Sequence, residues 1–485
     1  MSLSSRHITP QLAPLLKQEE LQAIHLAALQ VLETVGVACN HPRLRELLGG
    51  REGLSFWQHR LHFAPSLVQR HVDACRAERL AKPFTAPGDT ITLSTSCCAQ
   101  HVVDLETDAV RPACWGDCVQ AIHLAETMHD EGVRSSIPIV PQDVPPSMQA
   151  LAEFVLSARY CRSGGHFVAP CSLEGLEYIY RMHQALVQPF HLPLYIVSPL
   201  QVDGDSLDVL LHFLGRAESY SSSSMPIRGV SAPIHLVGGF VQSLAESLAG
   251  LVILKEITEG APVSLGLDSY AFDMRETSIS YGSPEMNLAD MLKREVAAFY
   301  GMHNVGTRSI RSMAKRPGVQ AVAEKAASAM AGALAGSRSF YGGGQLAVDE
   351  VFSLEQLVID REITDYAQHL IRGFDVSPEA LSVEIIREAI AADGDYLSHP
   401  STVAHHRQAF WTPRVFEHSM VRGWLAQGEP DIRAEARSRV RRKLGEPVRR
   451  LSGDRDGEIT ALFEQAWQTL VGGRMPADMR KTIIG

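Results

Sequence analysis

The chain has 485 residues, 45% hydrophobic and 21% charged, an ordinary globular balance that excludes disordered and fibrous classes. With 45 Lys+Arg against 55 Asp+Glu the net charge is −10, a poor match to general nucleic-acid binding. No apolar run reaches the roughly 18 residues that span a bilayer: Lys255 ends one of the longest, Leu248 to Leu254. The opening Met1-Ser2-Leu3-Ser4 lacks a basic and apolar leader, so a cytoplasmic protein outside the membrane is expected. Leu21, Ile24, Ala28, Leu29, Leu32 and Val35 recur at helical spacing and predict a helix over 16–35, stopped at Gly36. A second helix is predicted over 64–76. Residues 89–94 and 100–105 alternate or are β-branched, with Glu106-Thr107-Asp108 as a turn, and predict short antiparallel strands. Residues 1–132 thus read as an α+β cap.

Beyond Gly116 strand-like and helix-like segments alternate. A helix over 118–130 leads to strands predicted at 136–140, 166–170, 194–198, 226–230, 262–266, 303–307 and 337–342. The helices that follow them are predicted at 147–160, 173–186, 206–217, 241–258, 287–300, 320–334 and 354–372. Such alternation means right-handed βαβ units and a parallel sheet. Seven or eight units favour a closed (β/α)8, or TIM, barrel over an open sheet, which would want a glycine-rich turn where Pro141-Gln142-Asp143-Val144-Pro145-Pro146 stands. The eighth strand lies before Cys118 or after Arg372. The expected division is a cap at 1–132, a barrel at 133–372 and a helical extension at 373–485.

From Pro413 onward there are 14 Lys+Arg and 10 Asp+Glu, so +4 against −14 for the rest. Its densest cluster, Arg437, Arg439, Arg441, Arg442 and Lys443, reads as a solvated helix face or as a docking surface for an acidic partner. The eight cysteines all fall within the first 171 residues and read as reduced thiols. Cys114-x3-Cys118 is not a zinc knuckle, and no metal site is expected.

In barrels the reactive groups stand at the C-terminal ends of strands. After the fifth predicted strand come Asp268, Tyr270 and Phe272, then Glu285; after the sixth comes Arg308; after the seventh come Phe340, Tyr341, Gly342, Gly343, Gly344 and Gln345. Aromatic faces beside acids suit a quaternary ammonium, which makes no ordinary hydrogen bonds and must be held by cation–π and Coulomb attraction. The glycine run lacks G-K-[ST] and is expected to leave room for a large approaching group. Lys255, Lys293 and Lys325 fall on predicted helices, which weakens Schiff-base chemistry.

Four groups of residues carry a family likeness. They are the opening helix Ile24 to Val37; Gln242-Ser243-Leu244-Ala245-Glu246; Tyr281-Gly282-Ser283-Pro284-Glu285 with Ser353 to Ile363; and Gly394-Asp395-Tyr396-Leu397 with Trp411-Thr412-Pro413. In their order and spacing the chain resembles the trimethylamine methyltransferase superfamily, in the non-pyrrolysine branch that includes glycine betaine:corrinoid methyltransferases. That resemblance implies a (β/α)8 barrel that demethylates a small quaternary ammonium compound. The methyl acceptor would be Co(I) of cobalamin on a separate corrinoid-binding protein, with no cofactor bound tightly by the chain itself. It places the pyrrolysine position near Thr307 to Ser309, and it makes Arg308 the first candidate for a betaine carboxylate. The chain lacks the D-x-H-x-x-G run of corrinoid carriers. A homo-oligomer is compatible with all of this. The alternatives are a corrinoid-independent lyase or hydrolase using Asp268 and Glu285 as acid and base, and a non-catalytic betaine-binding barrel.

Overall fold

The computed structural model describes residues 6–81, 90–95, 98–202, 204–302, 307–392 and 394–484. Strand β1 (Arg6–Ile8) precedes helix α1 (Gln18–Thr34), which buries Ile24, Ala28, Leu29 and Leu32, the stripe its spacing predicts. Then come β2 (Val37–Ala38), α2 (Pro42–Leu48), β3 (Leu54–Trp57), β4 (Arg60–Phe63) and α3 (Pro65–Leu80). Strands β2, β4 and β3 form an antiparallel sheet. At Gly36 the backbone turns with φ +66°, and a Cβ would sit 2.4 Å from the Leu61 carbonyl oxygen, so only glycine fits the close crossing.

The repeating part opens with β5 (Thr92–Thr95), a hairpin of β6 (His101–Val103) and β7 (Val110–Pro112), and α4 (Trp115–Thr127). It continues with β8 (Val133–Arg134), α5 (Gln149–Tyr160), α6 (Leu173–Leu186), β9 (His191–Ile196), α7 (Asp205–His212), β10 (Ser219–Ser224) and α8 (Leu236–Ile257). Next are β11 (Val263–Leu265), the hairpin β12 (Phe272–Asp273) and β13 (Ser278–Ile279), and α9 (Pro284–Phe299). Last are β14 (Thr307–Ser309), α10 (Val319–Leu334), β15 (Ser339–Gly343), β16 (Gln345–Leu346), β17 (Val351–Phe352) and α11 (Leu354–Ile371). Two parallel sheets result, β9-β10-β11 and β14-β15-β5-β8. Counting the extended segment at 166–169, eight strand segments are each followed by a helix, α4 to α11. Serine caps start the helices that frame the mouth: Ser283 accepts from the Met286 amide and Ser353 from the Gln356 amide.

The structure departs from the sequence pattern at five places. The predicted strand 136–140 comes earlier, as β8 at Val133–Arg134, with Ile139 in an isolated bridge to Ala99. Of the predicted segment 89–94, Asp89 lies outside the described residues and the rest does not supply half of an antiparallel pair; β5 runs parallel between β15 and β8, a strand before Cys118. Alternation reveals a strand but not the direction of its partner. The fourth predicted strand, 226–230, is a loop, and the strand is the serine run of β10 just before it. Ser222 and Ser224 are buried there because α8 lies so close that a Cβ on Gly250 would meet the Ser222 Oγ at 2.0 Å. Segment 166–170 forms no strand: the Val168 and Ala169 amides donate to the buried Glu153 carboxylate (2.7 and 2.8 Å) rather than to a neighbouring strand. Finally, α8 is long and apolar enough to cross a membrane, with mean hydropathy 1.6, yet it is largely buried against β10, β9 and α1.

After α11 come β18 (Phe374–Val376), paired antiparallel with β1, and then α12 (Val383–Ala391), α13 (Pro400–Ala409), α14 (Val421–Ala426), α15 (Ile432–Leu444), α16 (Gly453–Leu470) and α17 (Ala477–Ile484). The basic cluster on α15 is only in part a solvated face: Arg441 and Arg442 are exposed, while its other members turn to the chain's own acids. Arg433 and Arg437 each bind Glu355 and Asp108, Arg439 and Lys443 reach Glu131, and Arg441 reaches Glu106. Much of the tail's positive charge is therefore spent on the chain's own acids, and it clamps α15 across α4 and α11.

Candidate functional site

The loops after β10, β11, β14 and β15 meet at one end of the parallel sheets. The Tyr270 amide donates to the Pro226 carbonyl and the Arg228 amide to the Tyr270 carbonyl, joining the first two loops. Ile310 donates to the Tyr341 carbonyl, joining the other two. In the space between stand three tyrosines. Tyr270 and Tyr281 meet edge to face at 5.9 Å, and Tyr281 and Tyr341 flank the Arg311 guanidinium at 5.0 and 5.2 Å from their ring centres.

Arg311 is the hub. Its Nη1 donates to the Tyr281 hydroxyl (2.9 Å) and its Nε to Gln345 Oε1 (3.1 Å), with the Asp349 carboxylate 3.6 Å away. A Cβ at Gly342, whose φ is +95°, would press on the Arg311 side chain at 3.1 Å, so the glycine lets this loop sit against the strand. On the other side Lys293 Nζ donates to Asp268 Oδ1 at 2.7 Å. Burial opposes the Lys293 charge, but Asp268, together with Tyr341 and Asp290, outweighs it and the ammonium is held above its ordinary pKa. A lysine so stabilised as a cation is a poor nucleophile. Burial raises the three phenols, so all stay neutral at physiological pH, and burial raises Asp349 against the pull of Arg311. The cluster is thus apolar-faced, dry, and lined by paired charges of both signs.

The predicted residues separate into two sets. Asp268, Tyr270, Tyr341 and Gln345 come together here. Phe340 lies one residue from Tyr341 on the same strand, points the opposite way, and joins the main hydrophobic core with no exposure. Phe272 sits half-buried in the β12–β13 hairpin opposite Ile279. Glu285 stands in the first turn of α9 with its side chain exposed, and its carbonyl accepts from Arg228. Asp268 and Glu285 therefore do not face one another as an acid–base pair. Arg308 lies in β14, its side chain outside the described residues. In the glycine run the Gly344 amide donates to Asp360, the Gly342 carbonyl accepts from Lys325, and a Cβ on Gly343 would strike Leu357 and Leu93.

Arg311, Tyr281, Lys293 and Asp349 escaped the sequence reading. Of the predicted sixth strand, 303–307, residues 303–306 lie outside the described residues; β14 runs on to Ser309, so the first cation after it is Arg311. Lys293 falls on a predicted helix, and α9 starts at the mouth and carries it inward. A cavity of about 520 Å³ lies elsewhere, between the β6–β7 hairpin and α15, and its Arg111 and Arg441 are paired with Asp104, Asp117 and Glu106. Among the described residues no three His, Cys, Asp or Glu side chains are grouped as metal ligands.

The family model for trimethylamine methyltransferase (MTTB) matches residues 3–465. The chain belongs to that family. It is 31% identical over 253 residues to the trimethylamine methyltransferase MttB2 of Methanosarcina mazei, covering 52% of this chain and 50% of that protein. The chain thus spans about half the length of the first curated relatives it matches. Longer matches are to two Desulfitobacterium hafniense proteins. One is a trimethylamine methyltransferase MttB, 24% identical over 86% of each chain; the other is a glycine betaine methyltransferase, 25% identical over 87% of this chain and 91% of the relative. Both long matches span the loops that build the tyrosine–arginine cluster of this family member.

Proposed function

We propose that this chain is a cytoplasmic methyltransferase that moves a methyl group from a small quaternary ammonium compound bearing a carboxylate to Co(I) of a separate corrinoid protein. The site would be the mouth of a closed (β/α)8 barrel. Its repeating part draws β5 from the segment before residue 133, with the N-terminal α+β elements and the helices after residue 372 around it. Seven strands in parallel sheets and the segment at 166–169, each followed by a helix, support closure, and the long match to a glycine betaine methyltransferase supports the substrate class.

The observation that carries the reading is Arg311 between Tyr281 and Tyr341, with Lys293–Asp268 alongside. A carboxylate is the group these two cations would admit, and aromatic faces with Asp268 and Asp349 would receive the ammonium end. A quaternary amine without a carboxylate would bring a third positive charge into a dry site at a cost in desolvation. In the transfer the N–CH3 bond breaks with its electron pair left on nitrogen, and the Co(I) pair forms the new bond. The amine leaves neutral and no proton moves, so the chain needs no general acid or base. Its residues bind, orient one methyl outward and exclude water.

The test is calorimetric titration with glycine betaine and with tetramethylammonium. Betaine should bind and tetramethylammonium should not, and Arg311→Ala should remove the preference. Equal binding of the two cations by the unaltered protein would overturn the assignment of Arg311.

A further inference from the structure

The turn that carries Arg311 is organised from another element, α10. Glu324, in the second turn of that helix, accepts from the Ser312 hydroxyl at 2.6 Å and from the Met313 amide at 2.8 Å, both at the one oxygen Oε2. Its Oε1 accepts from the Gln320 side chain at 2.8 Å. Ser312 is fully buried and is itself a junction: its Oγ accepts from the Ala314 amide and its carbonyl from the Val348 amide, each at 3.0 Å. A carboxylate offers acceptors only, so three donors converging on it fix both its rotamer and the turn it caps.

The same side chain meets the loop of Tyr281. At Gly282, whose φ is +73°, a Cβ would fall 2.9 Å from the Glu324 Cβ and 3.0 Å from its Oε2, so the backbone beside Tyr281 rests directly on the carboxylate. The next residue of the helix, Lys325, donates to the Gly342 carbonyl, three residues before Gln345. Two adjacent residues of α10 thus anchor the three segments whose Tyr281, Arg311 and Gln345 are bonded to one another. Among the described residues Glu324 accepts only from Ser312, Met313 and Gln320, so it acts on Arg311 through the backbone. A guanidinium set 5.0 and 5.2 Å from two ring centres serves a ligand only if that spacing holds, and a misplacement of about 1 Å at such a group costs up to about a hundredfold.

We infer that Glu324 is a positioning residue for Arg311, holding the turn after β14 and the Tyr281 loop as one unit. The inference rests on the proposed role of Arg311 toward a substrate carboxylate. The test is calorimetric titration of glycine betaine into the full chain carrying Glu324→Ala, Glu324→Gln, Ser312→Ala and Arg311→Ala, singly and with Arg311→Ala combined with each of the others, the melting temperature of each being recorded. Glu324→Ala should weaken betaine about tenfold. Glu324→Gln keeps an amide oxygen for Ser312 and Met313 and should recover most of that loss. In turnover with a corrinoid carrier the loss should fall on KM, with kcat changed little. Once Arg311 is replaced, Glu324→Ala should weaken betaine no further, because it acts through that side chain. Ser312→Ala removes one bond to the carboxylate and should show the same non-additivity, which keeps the test open if Glu324→Ala does not fold. Losses that add to that of Arg311→Ala overturn the inference, and so does a lower melting temperature with betaine affinity unchanged. Normal betaine binding by Arg311→Ala would instead overturn the reading of Arg311 on which the inference rests.

Discussion

In the proposed reading, Arg311 is the side chain on which substrate choice turns. A charge-assisted hydrogen bond is worth about 1.5–3 kcal/mol, so Arg311→Ala should raise the substrate constant for a betaine by at least about tenfold. Arg308→Ala should change it little, and steady-state kinetics on both variants decides between them. A desolvated cation–π contact is worth about 2 kcal/mol, roughly thirtyfold in affinity. Tyr281→Leu and Tyr341→Leu should each raise the substrate constant by about that factor, while Phe340→Leu should instead lower stability and leave the constant unchanged. A Phe340 variant that weakens substrate and a Tyr341 variant that does not would reverse the placement. Asp268, Tyr270, Tyr341 and Gln345 were legible because strand ends are marked by composition. Arg311 was not, because its strand ends two residues later than the pattern suggests, and a two-residue error moves a different cation to the mouth.

Two elements lean on charge. Lys325 on α10 and Asp360 on α11 meet at 2.6 Å with no exposure, and Gln356 and the Gly344 amide complete the Asp360 carboxylate. Burial pushes the lysine down and the acid up, each opposed by its partner. Removing one partner should cost about 3–5 kcal/mol, whereas replacing both by apolar residues should cost much less. Denaturant unfolding of Asp360→Ala beside Lys325→Met/Asp360→Leu reads this, and equal losses would contradict it. In the β6–β7 turn, Asp104 is held at about 2 by hydrogen bonds from the Thr107 amide and hydroxyl and from Arg111. A depressed folded pKa gives stability present above the ordinary carboxylate value and lost as pH falls from about 4 to about 2. Acid unfolding of Asp104→Asn should therefore be flatter over that window; an unchanged slope would count against the turn's role. Helices were read well because their period is long and their caps are local. Strands were read less well where packing set them: β10 is polar yet buried because Gly250 brings α8 onto it, and residues 166–170 lose their ladder to Glu153.

At the scale of the molecule, the repeat order was legible because every helix had to cover one face of a parallel sheet. What composition could not give was where the tail's charge goes. Arg441 and Arg442 do face outward, but Arg433, Arg437 and Arg439 clamp Glu355, Glu131 and Asp108. The central claim is methyl transfer from a carboxylate-bearing quaternary amine to a corrinoid on another protein. Its most direct measurement follows the cobalt absorption spectrum. The protein is mixed with a reduced corrinoid carrier and, one at a time, with glycine betaine, a longer betaine, tetramethylammonium and trimethylamine. Conversion of Co(I) to methyl-Co(III) with a betaine, requiring both proteins and lost in Arg311→Ala, is the predicted result. Betaine consumed by this chain without a corrinoid, or cobalt methylated from trimethylamine but from no betaine, would contradict the account.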